Sequence, residues 1–85
     1  MTPPNLSAGV GWSNGTSYTT SSNGWVYIAS SAGNSTTTLT IGDVTLCSFN
    51  RGGEWWGNNS SIIPVKKGVV CTGRGASVLT FYPCY

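Results

Sequence analysis

Glycine or proline interrupts this chain about every ten residues, and β-branched and aromatic residues fill the intervals. This spacing is typical of short strands joined by turns, and no segment has the apolar period of a helix. The pairs Asn14-Gly15 and Gly42-Asp43 favour tight turns. The sequence therefore predicts an all-β protein, with its clearest strands at 25–30, 37–41, 44–50 and 61–65.

The strand predicted at 25–30 carries apolar side chains on both of its faces. They alternate along the strand, with Trp25, Tyr27 and Ala29 on one face and Val26 and Ile28 on the other. We therefore expect this strand to be covered on both sides. The strand predicted at 61–65 contains Pro64, which cannot donate a backbone hydrogen bond and so predicts an edge position or a strand end.

A final hairpin is predicted from 69–72 and 78–82, with its turn centred on Gly75. In that register Cys71 faces Leu79, and Cys84 lies opposite Lys66, too far from Cys71 for a disulfide. Directly opposed residues share a face, so one apolar face holds Val69, Cys71, Leu79 and Phe81. The other face holds Val70, Thr72, Val78, Thr80 and Tyr82. Because this second face is also partly apolar, we expect a neighbouring subunit to cover it.

A chain of 85 residues is near the lower size limit for a domain that is stabilised by its own core alone. A metal site is disfavoured because the chain has no His, and its only acidic residues are Asp43 and Glu54. The three cysteines are an odd number, and isolated cysteines in apolar strands usually are buried free thiols. We therefore expect no metal and no cofactor, and we expect a partner subunit to supply the missing stability.

Only six residues are charged, while Ser, Thr, Asn and Gly make up 42 of the 85 residues. Four cations, with no basic cluster beyond Lys66 and Lys67, neutralise few phosphates, which argues against a nucleic-acid partner. No apolar run has the length of a membrane span, and no signal peptide is predicted. Without a His, catalytic arrangements of the Ser-His-Asp and Cys-His types are excluded, and we expect no enzymatic activity.

Three segments of the chain, in this order, resemble the C-terminal head domain of bacteriophage and prophage tail-fibre proteins. They are YTTSSNGWVYI at 18–28, SIIPVKKG at 61–68 and the ending LTFYPCY at 79–85. In that family an IxPVKKGD-like turn precedes the last hairpin, and an FYPC-like ending closes the chain. Val69 departs from the pattern, which usually has Asp at this position.

The resemblance implies a lead-in from the fibre stalk at 1–17 and a head domain at 18–85. The head would be a jelly-roll-like antiparallel β-sandwich, similar in shape to complement C1q and tumour-necrosis-factor heads, and assembled as a homotrimer. Its implied role is to bind the virion to a host polysaccharide or outer-membrane protein, without insertion into a membrane, after synthesis in the bacterial cytoplasm. The two-faced hairpin places the predicted trimer interface at Val70, Val78, Thr80 and Tyr82.

The loop RGGEWWGNNS at 51–60 is the best candidate for receptor binding. Adjacent residues of an extended chain point in opposite directions, so one of Trp55 and Trp56 is expected to face outward, where an indole ring suits stacking on a sugar. The predicted receptor-binding residues of this loop are Arg51, Glu54, Trp55, Trp56, Asn58 and Asn59. Arg74, an exposed cation at a glycine-flanked turn, is added to them. The alternative is that both tryptophans fill the end of the sandwich or the trimer interface.

Two other functions fit the same sequence. One is a purely structural trimerisation domain that closes a fibre and binds no receptor. The other is a monomeric carbohydrate-binding module of a secreted hydrolase. Binding of the isolated protein to susceptible cells separates the first alternative from a receptor-binding head, and the oligomeric state separates the second.

Overall fold

The computed structural model describes residues 2–30, 36–50 and 59–85, and within its strands it leaves the side chains of 30, 36, 46–50 and 59 undescribed. A single turn of 3-10 helix, Leu6–Ala8, precedes eight strands. They are β1 Val10–Gly11, β2 Ser17–Thr19, β3 Gly24–Ser30, β4 Thr36–Ile41, β5 Val44–Asn50, β6 Asn59–Val65, β7 Val70–Arg74 and β8 Val78–Pro83. The predicted all-β class is confirmed, and each strand predicted from the sequence is present.

The strands form two four-stranded antiparallel sheets. Sheet I has the order β1-β8-β3-β6, and sheet II has the order β2-β7-β4-β5. The pairing is nested, because the first strand pairs with the eighth, the second with the seventh, the third with the sixth and the fourth with the fifth. Every step along the chain except β4 to β5 therefore crosses from one sheet to the other.

Local sequence explains the β4–β5 hairpin and the edge position of β6. The turn between β4 and β5 consists of Gly42 and Asp43, and Gly42 has a φ of 61°. A glycine with positive φ at the first central position suits a two-residue hairpin. β6 pairs only with β3, so Pro64 lies in an edge strand of sheet I, as predicted.

The predicted hairpin between 69–72 and 78–82 is wrong. β7 pairs with β2 and β4 in sheet II, whereas β8 pairs with β1 and β3 in sheet I. The chain crosses between the sheets at 75–77 instead of reversing within one sheet. Cys84 lies opposite Pro4, and not opposite Lys66. The apolar alternation in β7 and β8 fits equally well two strands that face each other across a core, so it did not distinguish the two arrangements.

The core lies between the inward faces of the two sheets. Its buried residues are Val26, Ile28, Val65, Leu79 and Phe81 from sheet I and Leu39 and Cys71 from sheet II. Gly73 of β7 is buried, and a Cβ added there would come within 2.6 Å of the Leu79 Cδ1 atom. The missing side chain therefore lets Leu79 of sheet I pack directly against the backbone of sheet II.

A stack of three aromatic rings extends this core. The ring of Trp12 lies 5.3 Å from that of Tyr18, and Tyr18 lies 5.5 Å from Phe81. Offset and tilted ring pairs at such distances are favourable. Tyr18 comes from sheet II and Phe81 from sheet I, so the stack joins the two sheets.

Two buried threonines form hydrogen bonds with connections that run from one sheet to the other. Thr20 is 3% exposed; its Oγ1 atom donates to the Lys66 carbonyl at 2.6 Å and accepts from the Val69 amide at 3.0 Å. It thereby holds both ends of the β6–β7 connection. Thr37 is fully buried, and its Oγ1 atom donates to the Gly75 carbonyl at 2.8 Å in the β7–β8 connection.

An asparagine side chain holds the β7–β8 connection from its other side. The Asn14 amide group donates to the Ala76 carbonyl at 2.7 Å, and its oxygen accepts from the Ala76 amide at 3.0 Å. This pair of bonds imitates the exchange between two residues of an antiparallel ladder. The connection is therefore fixed on both sides by side chains remote in sequence.

The segment at 1–17, expected as a lead-in from a stalk, contributes β1 to sheet I. The Asn5 amide donates to the Pro83 carbonyl at 2.8 Å, and the Tyr85 amide donates to the Pro3 carbonyl at 3.3 Å. The two ends of the chain therefore run side by side at the end of the sandwich where β3 begins at Gly24 and β8 ends at Pro83.

Replacing Thr20 with valine tests the role of the buried hydroxyl. The variant Thr20→Val keeps the shape of the side chain but leaves the Lys66 carbonyl and the Val69 amide without this partner, so the free energy of unfolding is expected to fall by about 1–3 kcal/mol. Urea unfolding followed by tryptophan fluorescence measures it. The matched control Thr19→Val changes an exposed neighbour and is expected to stay within about 0.5 kcal/mol of the original protein. Equal stability of all three proteins would contradict the assigned role.

Candidate functional site

The outward face of sheet I is rich in aromatic and aliphatic side chains; we call it face I. Three rows cross β8, β3 and β6 in register. They are Tyr82–Trp25–Pro64, Thr80–Tyr27–Ile62 and Val78–Ala29–Ser60. On the β8 side, β1 adds only Gly11 to this face, opposite Thr80. Face I is therefore a broad surface with six large apolar or aromatic residues and no charged residue in its three rows.

The side chains of face I are not equally accessible. The three aromatic residues are half-buried, whereas Ile62 is 46% exposed and Val78 is 40% exposed. The Trp25 indole N–H donates to the Thr2 carbonyl at 3.0 Å, which fixes the ring against the N-terminal segment. Face I thus combines half-buried aromatic rings, of which that of Trp25 is held by a hydrogen bond, with exposed aliphatic side chains.

The outward face of sheet II, which we call face II, is covered by hydroxyl groups. One row crosses all four strands and consists of Ser17, Thr72, Thr40 and Thr45. The hydroxyls of Ser17 and Thr72 are 2.9 Å apart, and those of Thr40 and Thr45 are 3.2 Å apart, so neighbouring strands are joined by side-chain hydrogen bonds. The same face holds Thr19, Thr38, Val70 and Arg74.

The four residues of the predicted trimer interface do not lie on one face of the sandwich. Val78, Thr80 and Tyr82 lie on face I, but Val70 lies on face II, on the opposite side of the sandwich. The error follows from the assumed hairpin, which put β7 and β8 in one sheet. Four other large side chains lie on face I with Val78, Thr80 and Tyr82 and were not part of that prediction, namely Trp25, Tyr27, Ile62 and Pro64. For Trp25 and Tyr27, the signal in the sequence was the apolar character of both faces of the strand at 25–30.

Most of the predicted receptor-binding residues lie outside the described part of the chain. Arg51, Glu54, Trp55, Trp56 and Asn58 belong to the segment 51–58, and Asn59 opens β6 without a described side chain. Arg74 is described; it is exposed at the end of β7, on face II opposite Thr38. Receptor binding by the residues of 51–60 stays a prediction.

The described residues next to 31–35 and 51–58 lie at one end of the sandwich. Ser30 pairs with Asn59, and Thr36 pairs with Asn50. The Thr37 hydroxyl bonds Gly75, and the Ser77 amide donates to the Ala29 carbonyl, which brings the β7–β8 connection to the same place. We call this the loop end; it is opposite the end at which the two chain termini lie.

Charged groups are few on the described surface. Asp43, Lys66, Lys67 and Arg74 are all exposed. The Lys67 amide donates to the Asn23 side chain at 2.9 Å, so the predicted turn at 66–68 is held near the terminal end. Among residues 2–30, 36–50 and 59–85, no three His, Cys, Asp or Glu side chains come close enough to hold a metal ion. No described helix has the length and hydropathy of a membrane-spanning segment.

Two of the three cysteines have described side chains, and both are free thiols. Cys71 is fully buried in the core, and burial raises the pKa of its thiol above the ordinary value. Cys84 is partly exposed beside the N-terminal segment. Burial and the raised pKa give Cys71 the character of a structural thiol rather than of a nucleophile.

No protein-family model, no curated protein and no solved structure matches the chain.

The difference between the two thiols can be measured by alkylation. In the folded protein, iodoacetamide is expected to modify Cys84 faster than Cys71, because Cys71 is shielded and its raised pKa keeps it protonated. Peptide mass spectrometry over a time course reports each site separately. In urea the two rates should become similar. Equal rates in the folded protein, or a Cys71 that reacts only after reduction, would contradict the buried free thiol.

Proposed function

We propose that this chain is the receptor-binding head of a bacteriophage tail fibre, which attaches the virion to a polysaccharide or an outer-membrane protein on the host surface. The proposal rests first on the resemblance carried by YTTSSNGWVYI, SIIPVKKG and LTFYPCY. It is a binding function without catalysis, cofactor or metal.

The observation that carries the proposal furthest is the separation of the two ends of the sandwich. Both chain termini are hydrogen-bonded to each other at one end. The residues that flank 31–35, 51–58 and 75–77 all lie at the loop end, about one strand length away. A head joined to a shaft by its N-terminal side would then direct the loop end away from the shaft. Binding residues are often carried by loops on a rigid sheet scaffold.

The strand order supports the proposal that this sandwich is of the jelly-roll type. Eight strands in two sheets, paired first with eighth, second with seventh, third with sixth and fourth with fifth, are the order of a long hairpin folded over into a jelly roll. Capsid and lectin domains use this architecture. We propose the jelly-roll type for this sandwich on that ground.

The homotrimer belongs to the same proposal. The buried apolar residues of the described chain number only seven, which is a small core for a domain that must be stable in the environment of a virion. Face I offers additional apolar surface for burial between subunits. An interface between chains would therefore supply stability that a single chain lacks.

One observation favours a second candidate, a monomeric carbohydrate-binding module. Trp25, Tyr27 and Tyr82 lie on one uncharged face, and aromatic rings with an apolar body and a polar tip suit contact with sugar rings. In that case face I, and not the loop end, would bind the glycan. The oligomeric state in solution separates the two candidates, because the module would be a monomer with face I open.

An adsorption assay tests the receptor-binding function. The purified protein is incubated with a panel of bacterial strains and surface mutants, and bound protein is measured on washed cells. We expect binding to a subset of strains, and we expect Trp55→Ala and Trp56→Ala to reduce it at least tenfold in one of the two variants. The matched control is Lys67→Ala, an exposed residue near the terminal end, which should bind normally.

Circular dichroism of every variant confirms folding before binding is compared. Unchanged adsorption by both folded tryptophan variants would reject the loop at 51–60 as the binding site. Absence of binding to every strain, by a protein that nevertheless forms trimers, would favour the purely structural trimerisation domain.

A further inference from the structure

We infer that Asn14 is a site of spontaneous deamidation, which the fold restrains and whose product would release the β7–β8 connection. The residue is followed by Gly15. Asparagine is labile before glycine, because a residue without a Cβ lets its amide nitrogen approach the preceding side chain freely. This chemistry depends neither on the proposed receptor nor on the proposed homotrimer.

The reaction needs only the two residues and water. The Gly15 amide nitrogen loses its proton and attacks the Asn14 Cγ atom. The new C–N bond closes a succinimide ring, while the bond from Cγ to Nδ2 breaks and ammonia leaves. Water then opens the ring at either carbonyl group, which leaves aspartate or isoaspartate in place of asparagine. Overall one water is consumed and one ammonia is released, and nothing is oxidised or reduced.

The turn that carries this pair brings the labile amide to the β7–β8 connection. The amide and the hydroxyl of Thr16 both donate to the Ser13 carbonyl, at 3.2 Å and 2.6 Å, and close the turn. Gly15 has a φ of 79°, which glycine adopts without steric cost. The residue that makes Asn14 labile is therefore also the residue that the turn requires.

Both reacting groups are held by hydrogen bonds in the folded chain. The Gly15 amide donates to the Gly73 carbonyl at 2.9 Å, so the attacking nitrogen is engaged. The Asn14 side chain donates to the Ala76 carbonyl at 2.7 Å and accepts from the Ala76 amide at 3.0 Å. Attack on Cγ requires that these contacts open first. We therefore expect the folded protein to react only through local opening at this place.

The product does not reproduce the contact with Ala76. An asparagine side chain both donates and accepts, whereas a carboxylate only accepts. Deamidation would therefore replace the bond to the Ala76 carbonyl with two oxygens that face each other, one of them on a negatively charged group. Isoaspartate would also add one methylene to the backbone and displace the Gly15 amide from the Gly73 carbonyl. Either product removes the support that the Asn14 side chain gives to the β7–β8 connection.

A second Asn-Gly pair, Asn23-Gly24, provides an internal reference. The Asn23 side-chain oxygen accepts from the Lys67 amide at 2.9 Å. Among the described residues its Nδ2 group donates to no carbonyl, so a carboxylate at this position keeps the bond to Lys67. Asn23→Asp is therefore a matched control for Asn14→Asp, because it makes the same change of charge without the loss of a donor.

The restraint is tested on the original protein. Samples are kept at mildly alkaline pH, folded or in urea, and peptide mass spectrometry follows the conversion of Asn14 and of Asn23 separately. In urea we expect similar rates at the two sites. In the folded protein we expect the rate at Asn14 to be lower by about tenfold or more. A rate at Asn14 that is the same in both conditions would overturn the inference.

The consequence is tested by urea unfolding of the two aspartate variants. For Asn14→Asp we expect a lower midpoint and an unfolding equilibrium constant raised about tenfold, whereas Asn23→Asp should keep the midpoint of the original protein. Equal midpoints for all three proteins would contradict the release of the β7–β8 connection. If Asn14→Asp does not fold, Asn14→Ala decides, since it removes both bonds to Ala76 without adding charge. An unchanged midpoint for that variant would overturn the role of the contact.

Discussion

The crossing of the chain between two sheets at nearly every step determines the rest of this structure. Most importantly, β7 and β8 do not form a hairpin but face each other across the core. The crossings are held by hydrogen bonds from buried side chains, from Thr20 to the β6–β7 connection and from Thr37 to the β7–β8 connection. A buried hydroxyl that satisfies a backbone carbonyl or amide removes a desolvation cost that the connection would otherwise bear.

This arrangement divides the apolar residues into an inner and an outer set. The inner set is small and closes the sandwich with Val26, Ile28 and Phe81 at its centre. The outer set lies mostly on face I; face II adds Val70, beside hydroxyls that bond one another. The sandwich therefore has two unlike outer surfaces. The proposed self-association follows from this asymmetry, and it leaves the loop end free for the proposed contact with a receptor.

Local sequence predicted the strands and turns well, because their signals lie within a few residues. Gly42-Asp43 and Pro64 indicated a hairpin and an edge strand, and both are present. Partner strands were not predictable in the same way. The alternation of Val70 and Cys71, and of Val78 and Leu79, is identical for two strands side by side and for two strands facing each other. Long-range hydrogen bonds of Asn14, Thr20 and Thr37 decide between them, and no local pattern marks such bonds.

The most direct test of this account is a nuclear magnetic resonance measurement of which backbones are adjacent. Nuclear Overhauser contacts between backbone protons are predicted from Phe81 to Val10 and Val26, and from Cys71 to Tyr18 and Ile41. Contacts of this kind between Cys71 and Leu79 are expected to be absent. A ladder of backbone contacts linking 69–72 with 78–82 would restore the hairpin, place Val70 and Val78 on one face of one sheet, and contradict the account of the core and of both outer faces.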